Sequence, residues 1–216
     1  MKKRLAVLTL FSITFAFFVT AVMYFIRSHY YPNGFAFPVK LLKGLPFAIE
    51  YMRQLANLVI IFSVAYLAGR NFNQRMAAFI FVFGLWDIFY YIWFYILIQW
   101  PSSFMNWDLL YRVPVHWSGP VIAPILVSLA LICAALFIFY FEYKNWELRF
   151  SWMDWFIEIV AGAGLLIAFL WNYQKIRQGL VPAHFPWWIF AASLILGLGY
   201  FIYRSVKFYD SKSSNN

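Results

Sequence analysis

Residues Met76–Trp100 read MAAFIFVFGLWDIFYYIWFYILIQW, an apolar run with one carboxylate near its middle, Asp87. Apart from Tyr90, Tyr91 and Tyr95, Asp87 is the only ionisable side chain in the run. A stretch of about 20 apolar residues is long enough to cross a bilayer as a helix. An ionisable group at such depth is costly, so it is expected to face protein or a watery cavity and to mark function. Asp87 is therefore the most informative residue of the chain.

Outward from this run the composition points the same way. Of 216 residues, 64% are hydrophobic, 24% aromatic and only 12% charged, against about half apolar and a quarter charged in soluble domains. Spans are predicted at Leu5–Ile26, Pro46–Ala68, Met76–Gln99, Pro120–Phe141, Trp152–Trp171 and Pro186–Tyr203. The expected fold is an all-α polytopic transmembrane helical bundle of six spans, one transmembrane domain over residues 1–216, because helices satisfy every backbone group internally. Lys2-Lys3-Arg4 and Val19-Thr20-Ala21 also fit a signal peptide with its cleavage site, which would leave five spans. The apolar stretch runs on through Met23-Tyr24-Phe25-Ile26, longer than such a peptide needs, and favours a retained helix.

The net charge of +9 is spread over short loops and tails rather than one basic face, so no nucleic-acid partner is expected. With the N-terminus inside, the inner segments carry Lys2, Lys3, Arg4, Arg70, Arg75, Lys144, Arg149, Arg204, Lys207 and Lys212, ten against six. The outer six are Arg27, Lys40, Lys43, Arg112, Lys175 and Arg177. That asymmetry predicts a multi-pass protein of the plasma or cell inner membrane with both termini cytoplasmic. The bilayer is the one expected partner; a small or lipid-like ligand and other membrane subunits are the further candidates.

Between spans the outer connections hold most of the turn formers. The second, PSSFMNWDLLYRVPVHWSG over residues 101–119, sets Trp107, Tyr111 and Trp117 among polar groups, and its aromatics suit the headgroup level. It is expected to lie on or dip into the outer interface, with Pro114, Pro120 and Pro124 limiting helix. The inner segment FEYKNWELRF reads as interfacial, and the polar end Asp210–Asn216 as a disordered tail.

On a helix, positions three and four apart share a face. Around Asp87 that face holds Ile80, Phe83, Gly84, Tyr90, Tyr91, Phe94 and Tyr95. Both phenols Tyr90 and Tyr91 reach toward the carboxylate, and Gly84 admits a neighbouring helix. Glu50, Arg53, Gln54 and Asn57, at offsets zero, three, four and seven, form a matching polar stripe on the second span. With about 1.5 Å of rise per residue, Arg53 lies about a turn and a half shallower than Asp87, within reach of its long side chain. The expectation is an Arg53–Asp87 pair flanked by Asn57, Tyr90 and Tyr91. Two plainer readings stand beside it: polar glue between helices, each contact worth about 0.6 kcal/mol, and Glu50 and Arg53 snorkelling to the headgroups. Asp154 and Glu158 are one turn apart at the start of the fifth span, in line with Gly162. Ser193 and Gly197 offer a small-residue face on the sixth as the packing partner, with a proton relay the sharper alternative.

Catalytic and metal chemistry leave only faint traces. His29, His116 and His184 all fall in outer loops, a weak candidate set for zinc or copper with Asp108, but no two are at ligand spacing. Asp108, Arg112 and His116 offer an acid/base and an anion-binding arginine for a headgroup reaction. Serine-nucleophile, metalloprotease, phosphate-loop and dinucleotide signatures are absent, paired span histidines for haem are missing, and no cofactor is expected. Cys133, the single cysteine, excludes an intrachain disulfide and reads as a packing residue.

The stretch LWDIFYYIWFYILIQW, followed by WDLLYRVPVHWSGPVIAP, resembles a pattern of uncharacterised bacterial multi-span integral membrane proteins. The likeness covers about residues 70–130 and implies an integral membrane protein, with no activity or residue roles to carry over. Three functions remain open from sequence. One is binding or transport of a small or lipid-like molecule at Asp87, Arg53, Asn57, Tyr90, Tyr91, Glu50 and Gln54. Another is an enzyme at the outer headgroup layer. The third is an accessory subunit, which would present the small-residue faces of spans five and six to lipid and would hold no polar cavity.

Overall fold

A computed structural model describes residues 2–31, 42–111, 115–146 and 148–214. It is an all-α bundle with six helices long and apolar enough to cross a membrane. These are α1 (Lys2–Tyr30), α2 (Leu45–Ala68), α3 (Phe72–Ile98), α4 (Ile122–Tyr143), α5 (Trp152–Leu170) and α7 (Trp187–Ser213); α6 (Tyr173–Arg177) is a single short turn. The chain is a multi-pass membrane protein. Its outward side chains fit that solvent: Phe25, Phe62, Leu67, Ile159 and Ile195 are all at least 60% exposed, on faces where water would be unfavourable and lipid is not.

Local sequence starts the helices. Pro46 sits in the first turn of α2, where its missing N–H costs nothing. Asn71 caps α3 by accepting from the Gln74 backbone N–H at 2.9 Å. Ser151 and Asp154 form a reciprocal capping box on α5.

Helix α3 is the hub, packed against α1, α2 and α4, while α5 and α7 pair with each other and α7 touches α4. Two close approaches set this arrangement. A Cβ on Gly84 would lie 2.8 Å from the Ser128 carbonyl oxygen, so the absence of a side chain lets the α4 backbone onto α3. On the other side, a Cβ on Gly164 would collide with Ser193 Oγ, and one on Gly197 would meet Ala161 Cβ at 3.2 Å. Gly164 and Gly197 are therefore spent on the α5–α7 contact, whereas a Cβ on Gly162, in line with Asp154 and Glu158, would meet nothing within 4 Å.

Two stretches depart from the sequence reading. Residues 101–119 form more than an interfacial loop: β1 (Trp107–Tyr111) and β2 (Trp117–Pro120) pair antiparallel, with Asp108 opposite Gly119 and an irregularity between Leu109 and Tyr111. The base is closed by Val121 N–H donating to Asn106 O at 3.0 Å and Ile122 N–H to Phe104 O at 2.9 Å. Asp108 and Ser118 are each 1% exposed, so the paired strands turn these side chains into protein. Non-helical backbone is tolerated there because its polar groups are paired and covered. At the other end, the tail expected to be disordered from Asp210 continues α7 to Ser213. No Gly or Pro follows Gly199 to stop the helix, and Ser211 Oγ bonds back to the Phe208 carbonyl at 2.8 Å.

Candidate functional site: a cavity among α2, α3 and α4

The stripe on α2 faces inward, with Glu50, Gln54 and Asn57 all buried. Glu50 accepts two 2.7 Å hydrogen bonds from Arg53 Nε and Nη2 and one of 2.9 Å from Gln54 Nε2. The expected Arg53–Asp87 pair is therefore not formed. Glu50 is one turn away on the same helix, so both oxygens meet the planar guanidinium without any helix having to move. The carboxylate and guanidinium also remain together inside rather than separating toward headgroups. Arg53 Nη2 lies 3.4 Å from Met23 Sδ of α1.

Asp87 instead meets α4. Ser128 Oγ donates to its Oδ2 at 2.8 Å, a contact made possible by the close approach at Gly84 one turn before. Among the described residues no cation pairs with Asp87, and Ser128 supplies the one hydrogen bond its carboxylate accepts. Tyr91 was expected to turn to Asp87 as well; its hydroxyl donates to Asp108 Oδ2 at 3.3 Å.

That second carboxylate anchors the hairpin. Arg27 Nη2, at the end of α1, donates to Asp108 Oδ1 at 2.9 Å, and both side chains are almost wholly buried. The Arg27 guanidinium lies in the corner between the rings of Phe94 and Trp100, whose centroids are 4.2 and 4.3 Å away. Cation–π contact of this kind offsets part of the desolvation cost.

Between these two networks lies a cavity of about 240 Å³. Its polar lining comes from Arg53, Gln54, Asn57, Asp87, Tyr90 and Tyr91, together with Ser128. Phe83, Trp86, Trp117 and Phe169 supply aromatic walls. Among the described residues, the Asn57 amide, the Tyr90 hydroxyl and the second oxygen of Asp87 have no hydrogen-bond partner. The indole N–H of Trp86 is buried and unpaired on the same wall. Three polar groups that face the cavity without a partner, beside one buried unpaired indole, make this wall the chemically distinctive point of the cavity.

The remaining candidates are dispersed. Asp108 is held by Arg27 and Tyr91, whereas His116 packs near the rings of Phe47 and Tyr173, each about 6.5 Å away. Arg112 lies outside the described residues. Asp108 and His116 thus have different partners among the described residues. His29 packs edge-on against Tyr30, and the backbone carbonyl of His184 accepts from Asn172. Among the described residues no cluster of three His, Cys, Asp or Glu side chains could hold a metal ion, so His29, His116 and His184 do not converge on one.

Arg27 and Ser128 were missed from the sequence. Ser128 is the one serine in the fourth span, and Arg27 and Asp108 are opposite charges near the same end of the bundle. Those were the available signals, but neither names its partner. A second cavity of about 280 Å³ separates α3 and α4 from α5 and α7, and Asp154, Glu158 and Ser193 contribute its polar lining. Comparison with known protein families, curated proteins and solved structures gives no match for this chain.

Proposed function

We propose that this membrane protein binds a small or lipid-like molecule in the Asp87 cavity, as the recognition step of a carrier or receptor. The observation that supports the reading is the set of unpaired polar groups, Asn57, Tyr90 and one oxygen of Asp87, on the wall of a largely apolar cavity. Pockets that orient small ligands have this composition: mostly apolar walls with a few fixed polar groups. Asn57 and Tyr90 serve as hydrogen-bonding contacts, Asp87 as the charged one, and Arg53, Gln54 and Glu50 as the braced rim beside them. We further place both termini in the cytoplasm on the ten-to-six bias of basic residues, which puts the cavity in the outer half of the bilayer.

The accessory-subunit reading has less support, since it calls for no polar cavity and Gly164 and Gly197 are already occupied within the chain. Native mass spectrometry of the protein released from lipid nanodiscs tests the proposal. Wild type is expected to retain a small molecule that a Leu58→Phe variant, which fills the cavity, has lost. Identical retained species in both proteins would contradict it.

A further inference from the structure

We propose that the ligand of the Asp87 cavity is an organic cation, a protonated amine on a short apolar or aromatic body. The inference rests on the binding reading above and goes beyond it by assigning the charge of the ligand. Of the charged side chains that α1, α2 and the hairpin bury on this side of the bundle, Arg53 lines the cavity, and all four are paired with one another. Arg53 grips Glu50 through two 2.7 Å bonds, and Arg27 grips Asp108 at 2.9 Å. Asp87 stands apart from both pairs, with a neutral serine at 2.8 Å as its hydrogen-bond donor. An isolated carboxylate within a bilayer span is costly unless something positive meets it.

The walls discriminate among the candidates for that role. A bare metal ion wants several oxygen ligands, and here one carboxylate stands among mostly apolar surfaces. An anionic headgroup would set a like charge beside Asp87, and the cation on the wall, Arg53, is already engaged by Glu50. A neutral ligand would offer Asp87 no opposite charge. An ammonium group satisfies the free Asp87 oxygen by a charge-assisted hydrogen bond and meets the rings of Phe83, Trp86, Tyr90 and Tyr91, whose faces attract cations. Asn57 can pair with a further polar group on the ligand. The apolar remainder of the molecule lies against Leu58 and Val127.

The test uses the full chain in zwitterionic nanodiscs and three matched probes: 4-phenylbutylamine, 4-phenylbutanol and 4-phenylbutyrate. Tryptophan fluorescence titration, corrected with empty discs, reads affinity. The amine is expected to bind at least about tenfold more tightly than the alcohol or the acid, the scale of one charge-assisted contact. Asp87→Asn is expected to abolish the advantage of the amine over the alcohol. If wild type binds the alcohol or the acid as well as the amine, the cationic assignment falls and the cavity-binding reading stands. A preference for the amine that survives Asp87→Asn also overturns the assignment. If none of the three probes binds above empty discs, both fall. The wild-type series decides the matter even if the variant does not fold.

Discussion

Two carboxylates on opposite sides of the bundle differ sharply in how they are satisfied. Asp154 on α5 accepts from Arg204 Nε and Nη2 at 2.7 and 3.0 Å, and from Tyr200 at 2.7 Å. It also accepts from the Ser151 backbone N–H at 2.6 Å and the Ser151 hydroxyl at 2.9 Å. Asp87 on α3 accepts one bond, from Ser128. The first carboxylate is saturated by its own chain, caps a helix and ties α5 to α7. The second keeps an oxygen free beside a cavity. A saturated carboxylate stabilises the fold, whereas an unsaturated one at depth costs stability that a bound partner can restore.

Substitutions at the two kinds of site should therefore separate stability from binding. The largest loss of stability is expected at Asp108, the most deeply buried carboxylate of the paired set. Asp108→Ala leaves Arg27 buried without its carboxylate and should cost about 3–5 kcal/mol in thermal or denaturant unfolding. An effect within 0.5 kcal/mol, on the order of a surface change, would mean that the hairpin does not lock α1.

Asp154→Ala comes next, at about 2–3 kcal/mol, because it removes a capping box and a partly exposed ion pair together. Arg204 is about one-third exposed and can turn toward water, which keeps this cost below that at Asp108. Gly84→Val should cost about 1–3 kcal/mol by forcing α4 off α3. Because it also displaces Ser128, it should weaken amine binding at the cavity, which a probe titration detects. Asp87→Asn is the mildest for the fold. It is expected to change stability by less than about 1 kcal/mol, or to raise it, since an amide at that depth carries no charge to desolvate. An Asp87→Asn loss as large as that of Asp154→Ala would erase the distinction between the two carboxylates.

The architecture was largely legible because lipid solvation writes itself as long apolar runs, and six of them became six helices. Their ends were less so. Asp210, Ser211 and Lys212 read as a polar tail, yet nothing in that stretch breaks a helix, so α7 runs on. The hairpin was hidden because Trp107–Tyr111 is short and its aromatics serve an interface and a strand equally well.

At the candidate site, helical offsets put Asn57, Asp87 and Tyr90 on faces that the fold brings to one cavity. Partner choice was not readable in the same way. Arg53 has Glu50 and Asp87 within a long side chain's reach, and the same-helix partner wins because its geometry is fixed before the helices meet. Ser128 and Arg27 find their partners only through the approach of α4 to Gly84 and the insertion of the hairpin, which are tertiary events.

The central claim is that the space beside Asp87 receives a ligand, and thiol accessibility tests it most directly. In a Cys133→Ser background, Asn57→Cys puts a reporter thiol on the cavity wall, and Ala16→Cys places a control in the packed α1 face, where Ala16 is wholly buried. With the cationic reagent 2-aminoethyl methanethiosulfonate, the thiol at position 57 should react at least about tenfold faster than the control, and 4-phenylbutylamine should protect it. Equal, negligible labelling at both positions would contradict the account, because it would mean that the carboxylate is sealed among packed side chains.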